Sequence, residues 1–224
     1  MTLDLAVLVS GGGSNLQSII DKVESGALDA RIRVVFSNKP EAFGLERARR
    51  HGIPQASLLH TAFPDRASFD REVVRIIREH GADTLALAGY MRLLTPWFLE
   101  QFPGRVLNIH PALLPSFPGV HGQGDAAAYG VKLSGCTVHF VTEQMDSGPI
   151  IIQAAVPALP GDDGSSLGGR ILEYEHRIYP QAIQWFAEGR LSVAGRKVAL
   201  RDAGRPPAAL HAPALVNPPL EEGF

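Results

Sequence analysis

Asn108 and His110 stand two residues apart in Val106-Leu107-Asn108-Ile109-His110-Pro111. If this segment is a strand, its period of two puts the amide and the imidazole on one face, with Leu107 and Ile109 on the other. A side-chain amide can donate to an oxyanion developing at a carbonyl, and an imidazole can move a proton near neutral pH. The pair therefore has the parts for acyl transfer to an amine. Pro111 removes a ladder donor and ends the strand at its carboxyl edge, where open parallel sheets build their sites. Taken alone, His110 reads as a structural histidine in a hydrogen-bonded cap. Asn108 beside it shifts the reading to catalysis, as does the stiff run Pro111-Ala112-Leu113-Leu114-Pro115-Ser116-Phe117-Pro118-Gly119, a costly way to end a plain strand.

A second candidate is Gly11-Gly12-Gly13-Ser14-Asn15, between an apolar run and a helical pattern. Free N–H groups and a helix dipole there favour a phosphate. Leu16 stands where a dinucleotide loop needs glycine, and Ser37-Asn38-Lys39-Pro40 replaces the acidic ribose anchor. No Lys-Ser or Lys-Thr pair closes a triphosphate loop. The plainer alternative is a tight turn with Ser14 or Asn15 as N-cap. A third candidate, Asp146 in Thr142-Glu143-Gln144-Met145-Asp146-Ser147-Gly148-Pro149, reads by itself as a turn aspartate. His139 is expected to pack behind the site, and His51, His60, His80, His176 and His211 lack convergent partners. His110 and His121 have no third ligand at zinc spacing, so no metal is expected.

The elements that must position these groups alternate. Strands are expected at 3–10, 32–37, 55–58 and 84–88, with helices at 15–23, 43–51 and 66–80 between them. In the last helix Phe69, Val73, Ile76 and Ile77 form one apolar face. Such repeats imply a parallel sheet with right-handed crossovers, an α/β class. A strand at 105–109, a Pro/Gly-rich stretch at 111–124 and strands at 136–141 and 150–156 follow. Leu167, Ile171, Tyr174 and Ile178 mark a helix that Pro180 is expected to kink or divide. Residues 191–193 and 197–200 flank Ala194-Gly195-Arg196 as a hairpin, and an irregular tail with five prolines spans 205–219. One domain at 1–190 with an appendage at 191–224 is expected.

With 224 residues, a net charge of -2 and 45% hydrophobic residues, the chain has one ordinary core and no electrostatic footprint for nucleic acid. The lone Cys136 allows no internal disulfide, the Met1-Thr2-Leu3-Asp4 start lacks a signal-peptide pattern, and no apolar run spans a bilayer. A cytoplasmic place without membrane association is the expectation, and an oligomer is compatible with it.

The ordered set Gly13-Ser14-Asn15-Leu16-Gln17, Ser37-Asn38-Lys39, Met91-Arg92, Asn108-Ile109-His110-Pro111, Leu113-Leu114-Pro115 and Asp146-Ser147-Gly148-Pro149-Ile150 closely resembles the phosphoribosylglycinamide formyltransferase family. The similarity spans roughly 3–200. It implies a Rossmann-like formyltransferase fold and transfer of a formyl group from 10-formyltetrahydrofolate to the amino group of glycinamide ribonucleotide, in purine synthesis. It implies Asn108, His110 and Asp146 as catalytic residues, Asp146 holding His110 charged and placing a water that relays the amine proton. Gly13, Ser14 and Asn15 would hold the ribotide phosphate, and Glu175 would bind the same substrate. Arg66, Met91, Arg92, Leu93, Leu94 and the loop Val141, Thr142, Glu143, Gln144, Met145 and Asp146 would bind the folate together with Asn108, the pterin largely by main chain. After His121 the chain departs from the family's usual His-Arg-Gln-Ala with Gly122-Gln123-Gly124-Asp125-Ala126-Ala127. The competing readings are a formyl-folate hydrolase, which normally carries an extra regulatory domain, a methionyl-tRNA or sugar-nucleotide formyltransferase, and a non-catalytic folate-binding module.

Overall fold

The computed structural model describes residues 2–203, 215–217 and 220–224. It divides into two compact units, Met1–Asn108 and Ile109–Phe224, with the boundary inside one strand.

The first unit contains β1 (Leu3–Val9), α1 (Ser14–Glu24), β2 (Ala30–Ser37), α2 (Phe43–Arg50), β3 (Gln55–Ser57), α3 (Arg66–Glu79), β4 (Thr84–Leu87), α4 (Pro96–Glu100) and, as far as Asn108, β5 (Val106–His110). Its strands lie in the order β3-β2-β1-β4-β5, every neighbouring pair parallel. Leu5 to Val9 of β1 are fully buried, as a strand covered on both faces must be. Helix α3 starts where the Asp65 carboxylate accepts the Ser68 N–H at 2.6 Å, a hydrogen bond that also lowers the carboxyl's proton affinity. Its Phe69, Val73, Ile76 and Ile77 face the interior as the spacing predicts, and each such side chain contributes about 1.5–3 kcal/mol by leaving water. The chain runs outward from β1 through β2 to β3, then restarts at β4 on the other side of β1. The carboxyl ends of β1 and β4 thus form a topological switch point, the usual place for a ligand in such sheets.

The second unit contains α5 (Gly122–Tyr129), β6 (Leu133–Phe140), β7 (Ile150–Pro157), α6 (Gly164–Ala187), β8 (Leu191–Ala194), β9 (Lys197–Leu200) and β10 (Leu215–Asn217). Strands β6 and β7 pair antiparallel, β9 meets β7 at Lys197 and Ile150, and β8 and β9 form the expected hairpin. Asp163 caps α6 by accepting the N–H groups of Ser165 and Ser166 at 2.8 Å, while Ser166 Oγ accepts the Asp163 N–H. The helix packs on β6 and β7.

Three sequence expectations need correction. Pro180 does not divide α6, which runs unbroken past it with Tyr179, Pro180, Gln181 and Trp185 buried, so tertiary packing outweighs one missing hydrogen bond. Residues 122–129 lie in α5 rather than a loop; two glycines and an alanine run hide the helical period. Leu215–Asn217 of the tail is a strand antiparallel to β7. Residues 204–214 and 218–219 lie outside the described residues.

Candidate functional site

In the second unit, His110 ends β5 and is 4% exposed at its side chain. Its Nε2 lies 2.8 Å from the Phe117 carbonyl, which can only accept, so Nε2 carries a proton and donates. Nδ1 is left facing Asp146, whose Oδ2 is 3.6 Å away. The same oxygen accepts the Gly119 N–H at 2.8 Å. Asp146 has a φ of 50°, unusual for a residue with a side chain, so the turn presents the carboxylate at some conformational cost. The loop joining these groups is pinned: Thr137 Oγ1 donates to the Ala112 carbonyl at 2.7 Å and accepts the Leu114 N–H at 3.1 Å, and Gln153 Nε2 donates to the Leu114 carbonyl at 3.0 Å. Gly122 leaves little room for a side chain, since a Cβ there would sit 3.1 Å from His110 Nε2 and 3.2 Å from the Phe117 oxygen.

His139 belongs to this cluster. It lies on β6 with its Nε2 3.8 Å from Asp146 Oδ1, and its Nδ1 donates to the Phe140 carbonyl at 2.8 Å. The Asp146 carboxylate is thereby divided between two buried imidazoles. Burial is the main cause holding the His139 proton affinity below the ordinary histidine range, the charge of His110 acting the same way. The sequence led to the expectation that His139 packs behind the site; the signal for its approach to Asp146 was that β6 leads straight into the Asp146 loop. His51 also has partners, Glu24 at 2.6 Å and Gln17 at 3.1 Å, contrary to the sequence expectation. His211 lies outside the described residues.

The loop Val141, Thr142, Glu143, Gln144, Met145 and Asp146 leaves β6 with Thr142 to Met145 exposed. Arg196, in the hairpin turn, donates to the Ser147 carbonyl at 2.9 Å and steadies its far end. Glu175 is buried on α6 beside Cys136 of β6, whose thiol is pushed up first by burial and then by that carboxylate.

In the first unit, Gly13 precedes α1 with φ 70°, and a Cβ on it would come within 2.7 Å of Gly44 Cα. It is the N-cap, and no side chain caps the helix, so the expected alternative of a Ser14 or Asn15 cap does not hold. Ser14 and Asn15 are the first two residues of α1, an eleven-residue helix. Arg47 donates from Nε to the Gly12 carbonyl at 2.8 Å and packs against Gly13. That bond occupies the Gly12 carbonyl, and the N–H groups at the helix start favour an anion.

Also in this unit, Asn108 pairs in register with Leu87 on β5 and β4. Met91, Arg92, Leu93 and Leu94 follow β4, with Met91 and Leu93 more than half exposed and Leu94 buried. Both ends of this segment are held: the Met91 N–H donates to Ser10 Oγ at 2.8 Å, and the Thr95 N–H donates to the buried Asp70 carboxylate at 2.8 Å. Arg92 stacks over the Phe69 ring at 4.8 Å. Arg66, exposed, opens the helix α3 that carries Phe69 and Asp70. The structure therefore brings together the helix bearing Arg66 and the segment at 91–94. Ser10 and Asp70 were not read from the sequence, where each is an unremarked polar residue beside an apolar run, and Asn38 was read only as part of Ser37-Asn38-Lys39. Among the described residues no group of three or more His, Cys, Asp or Glu could hold a metal ion, and no helix is long and apolar enough to cross a membrane.

Residues 3–183 match the family described as formyl transferase. Phosphoribosylglycinamide formyltransferase of Escherichia coli (strain K12) is 47% identical over 191 residues, covering 85% of this chain and 90% of that protein. The trifunctional purine biosynthetic protein adenosine-3 of Homo sapiens is 43% identical over 84% of this chain, which corresponds to 19% of that longer protein. The crystal structure of glycinamide ribonucleotide transformylase 1 from Symbiobacterium toebii has a TM-score of 0.88 at 50% identity, over 90% of this chain and 95% of that one. With a mostly parallel sheet flanked by helices and a C-terminal hairpin, the chain belongs to the formyl transferase family.

Proposed function

We propose that this chain transfers the formyl group of 10-formyltetrahydrofolate to the amino group of glycinamide ribonucleotide, a step of purine synthesis in the cytoplasm. The observation that carries this reading is the approach of Asp146 to His110 Nδ1 at 3.6 Å, in a chain 47% identical over 191 residues to the bacterial formyltransferase. Gly13, Ser14 and Asn15 bind the ribotide phosphate at the uncapped start of α1, and Glu175 binds the same substrate. Met91, Arg92, Leu93 and Leu94, together with Arg66 and the loop at 141–146, bind the folate. A segment with exposed side chains and anchored ends suits a flat, partly apolar ring system.

In the reaction the amine nitrogen forms a bond to the formyl carbon and the bond from that carbon to the folate nitrogen breaks. One proton leaves the amine and one reaches the folate nitrogen. The Asn108 amide donates to the oxygen of the tetrahedral carbon as it gains charge. Because the Phe117 carbonyl engages His110 Nε2, the proton moves on the Nδ1 side, which faces the Asp146 carboxylate. The deciding experiment follows loss of 10-formyltetrahydrofolate with and without glycinamide ribonucleotide. Formylated ribotide should form in step with folate release, with negligible release in its absence. Release that is equally fast without the ribotide would identify a hydrolase and overturn the reading.

A further inference from the structure

The strands β2, β1 and β4 are neighbours, and one hydroxyl joins the segments that leave all three. Ser10 follows β1; its Oγ donates to Asn38 Oδ1, just beyond β2, at 2.5 Å, and accepts the Met91 N–H, beyond β4, at 2.8 Å. Its own N–H donates to the Gly89 carbonyl at 3.1 Å. Ser10 is 6% exposed and Asn38 2%. A hydroxyl has one proton to give; with that proton committed to Asn38, its lone pairs are aimed at Met91, so the acceptor and the donor are satisfied together. Removing the hydroxyl would leave the buried Asn38 oxygen and the part-buried Met91 N–H without it.

The neighbours of this hydroxyl have a consequence for binding. Ser10 directly precedes the glycine loop, whose Gly11 and Gly12 are exposed with open space where side chains would be. The carbonyls of that loop are held, Gly11 by the Gly44 N–H at 3.0 Å and Gly12 by Arg47 Nε at 2.8 Å, so an anion that draws its N–H groups inward loads the backbone at Ser10. Met91 opens the segment at 91–94, whose far end is fixed by Asp70 to Thr95. A displacement of Ser10 therefore reaches the near end of that segment while the far end stays put.

Resting on the ribotide and folate assignments proposed above, we infer that Ser10, held by Asn38, is a positioning residue that couples the two substrate segments. Ribotide on the glycine loop changes the affinity of the segment at 91–94 for folate, and by reciprocity folate changes the affinity for ribotide. Ser10 touches neither reacting atom.

The test uses calorimetric titration of the full chain with unformylated tetrahydrofolate, which cannot react, with and without saturating glycinamide ribonucleotide. In the unaltered protein the ribotide is expected to change the folate dissociation constant by about fivefold or more. In Ser10→Ala both ligands still bind, but the ribotide changes the folate constant by less than about twofold. Asp70→Ala, which frees only the far end of the segment, weakens folate and keeps the coupling. Equal coupling in Ser10→Ala and the unaltered protein, or none in the latter, overturns the inference. Should Ser10→Ala not fold, Asn38→Ala removes only the serine's acceptor and must also lower the coupling; unchanged coupling there counts against the inference equally. Amide signals of residues 91–94 that ignore tetrahydrofolate in the unaltered protein would instead show that the folate assignment has failed.

Discussion

Oδ2 of Asp146 lies 3.6 Å from Nδ1 of His110 and accepts the Gly119 N–H at 2.8 Å, so one carboxylate oxygen touches the end of β5 and the loop that follows it. The distance to His110 exceeds a hydrogen bond. With Nε2 committed to the Phe117 carbonyl, the ring is fixed on that side with Nδ1 toward Asp146.

That fixation makes Gly122 a sensitive position. Gly122→Ala puts a methyl group 3.1 Å from Nε2, and the ring or the Phe117 carbonyl must shift by a few tenths of an ångström. Turnover is expected to fall by about threefold to tenfold, given how steeply rate depends on placement. Gly124→Ala, with nothing within 4 Å, serves as the comparison and should retain near-normal turnover. Steady-state kinetics on the two variants decides; equal behaviour would mean that the contact has no bearing on the imidazole.

Ser14→Asp puts a negative charge at the uncapped start of α1. The helix itself tolerates an acid there, since the dipole favours it. A bound phosphate does not, so the ribotide KM is expected to rise by about tenfold or more while the folate KM moves little. An unchanged ribotide KM would move the phosphate elsewhere.

The first unit was legible because its strands are apolar runs punctuated by glycine and its helices carry an apolar stripe, as at Phe69, Val73, Ile76 and Ile77. Helix α5 was not, since Gly122-Gln123-Gly124-Asp125-Ala126-Ala127 has neither apolar period nor side-chain cap. Asn108 and His110 were legible from strand alternation and Pro111. The contact of Asp146 with His110 was not derivable from spacing, because it depends on how distant segments meet; only the family resemblance pointed to it. His139 was read as packing behind the site, and its approach to Asp146 was missed because Cys136-Thr137-Val138-His139-Phe140 looks like any core strand; Ser10 was missed because a hydroxyl that joins three loops leaves no pattern in one dimension.

His139 should leave a mark on stability against pH. Burial among β6 neighbours, with His110 and Asp146 as the charged groups facing it, holds its folded proton affinity below the ordinary value of 6.5. The unfolded chain then binds the proton more tightly, so the stability this residue contributes is complete above 6.5 and declines as pH falls below it. Urea melts from about pH 7.5 to about pH 5.5 are expected to show a shallower loss of stability for His139→Gln than for the unaltered protein. Identical slopes would mean that the imidazole is not held neutral.

Asn108→Ala removes the donor assigned to the developing oxyanion. Turnover is expected to fall by about a hundred- to a thousand-fold, the usual cost of one such donor, with the melting temperature little changed. Near-normal turnover in a folded variant would take Asn108 out of the chemistry.

The central claim is that the charge of Asp146, rather than its shape, serves the reaction. Asp146→Asn keeps an oxygen able to accept the Gly119 N–H and the same turn, but removes the carboxylate facing His110 and His139. The measurement is turnover and tetrahydrofolate affinity of this one variant at saturating ribotide, with circular dichroism confirming the fold. The expected result is folate binding within about threefold of the unaltered protein and turnover lower by about a hundred- to ten-thousand-fold. Turnover within about threefold of the unaltered protein would contradict the account and leave Asp146 a turn residue.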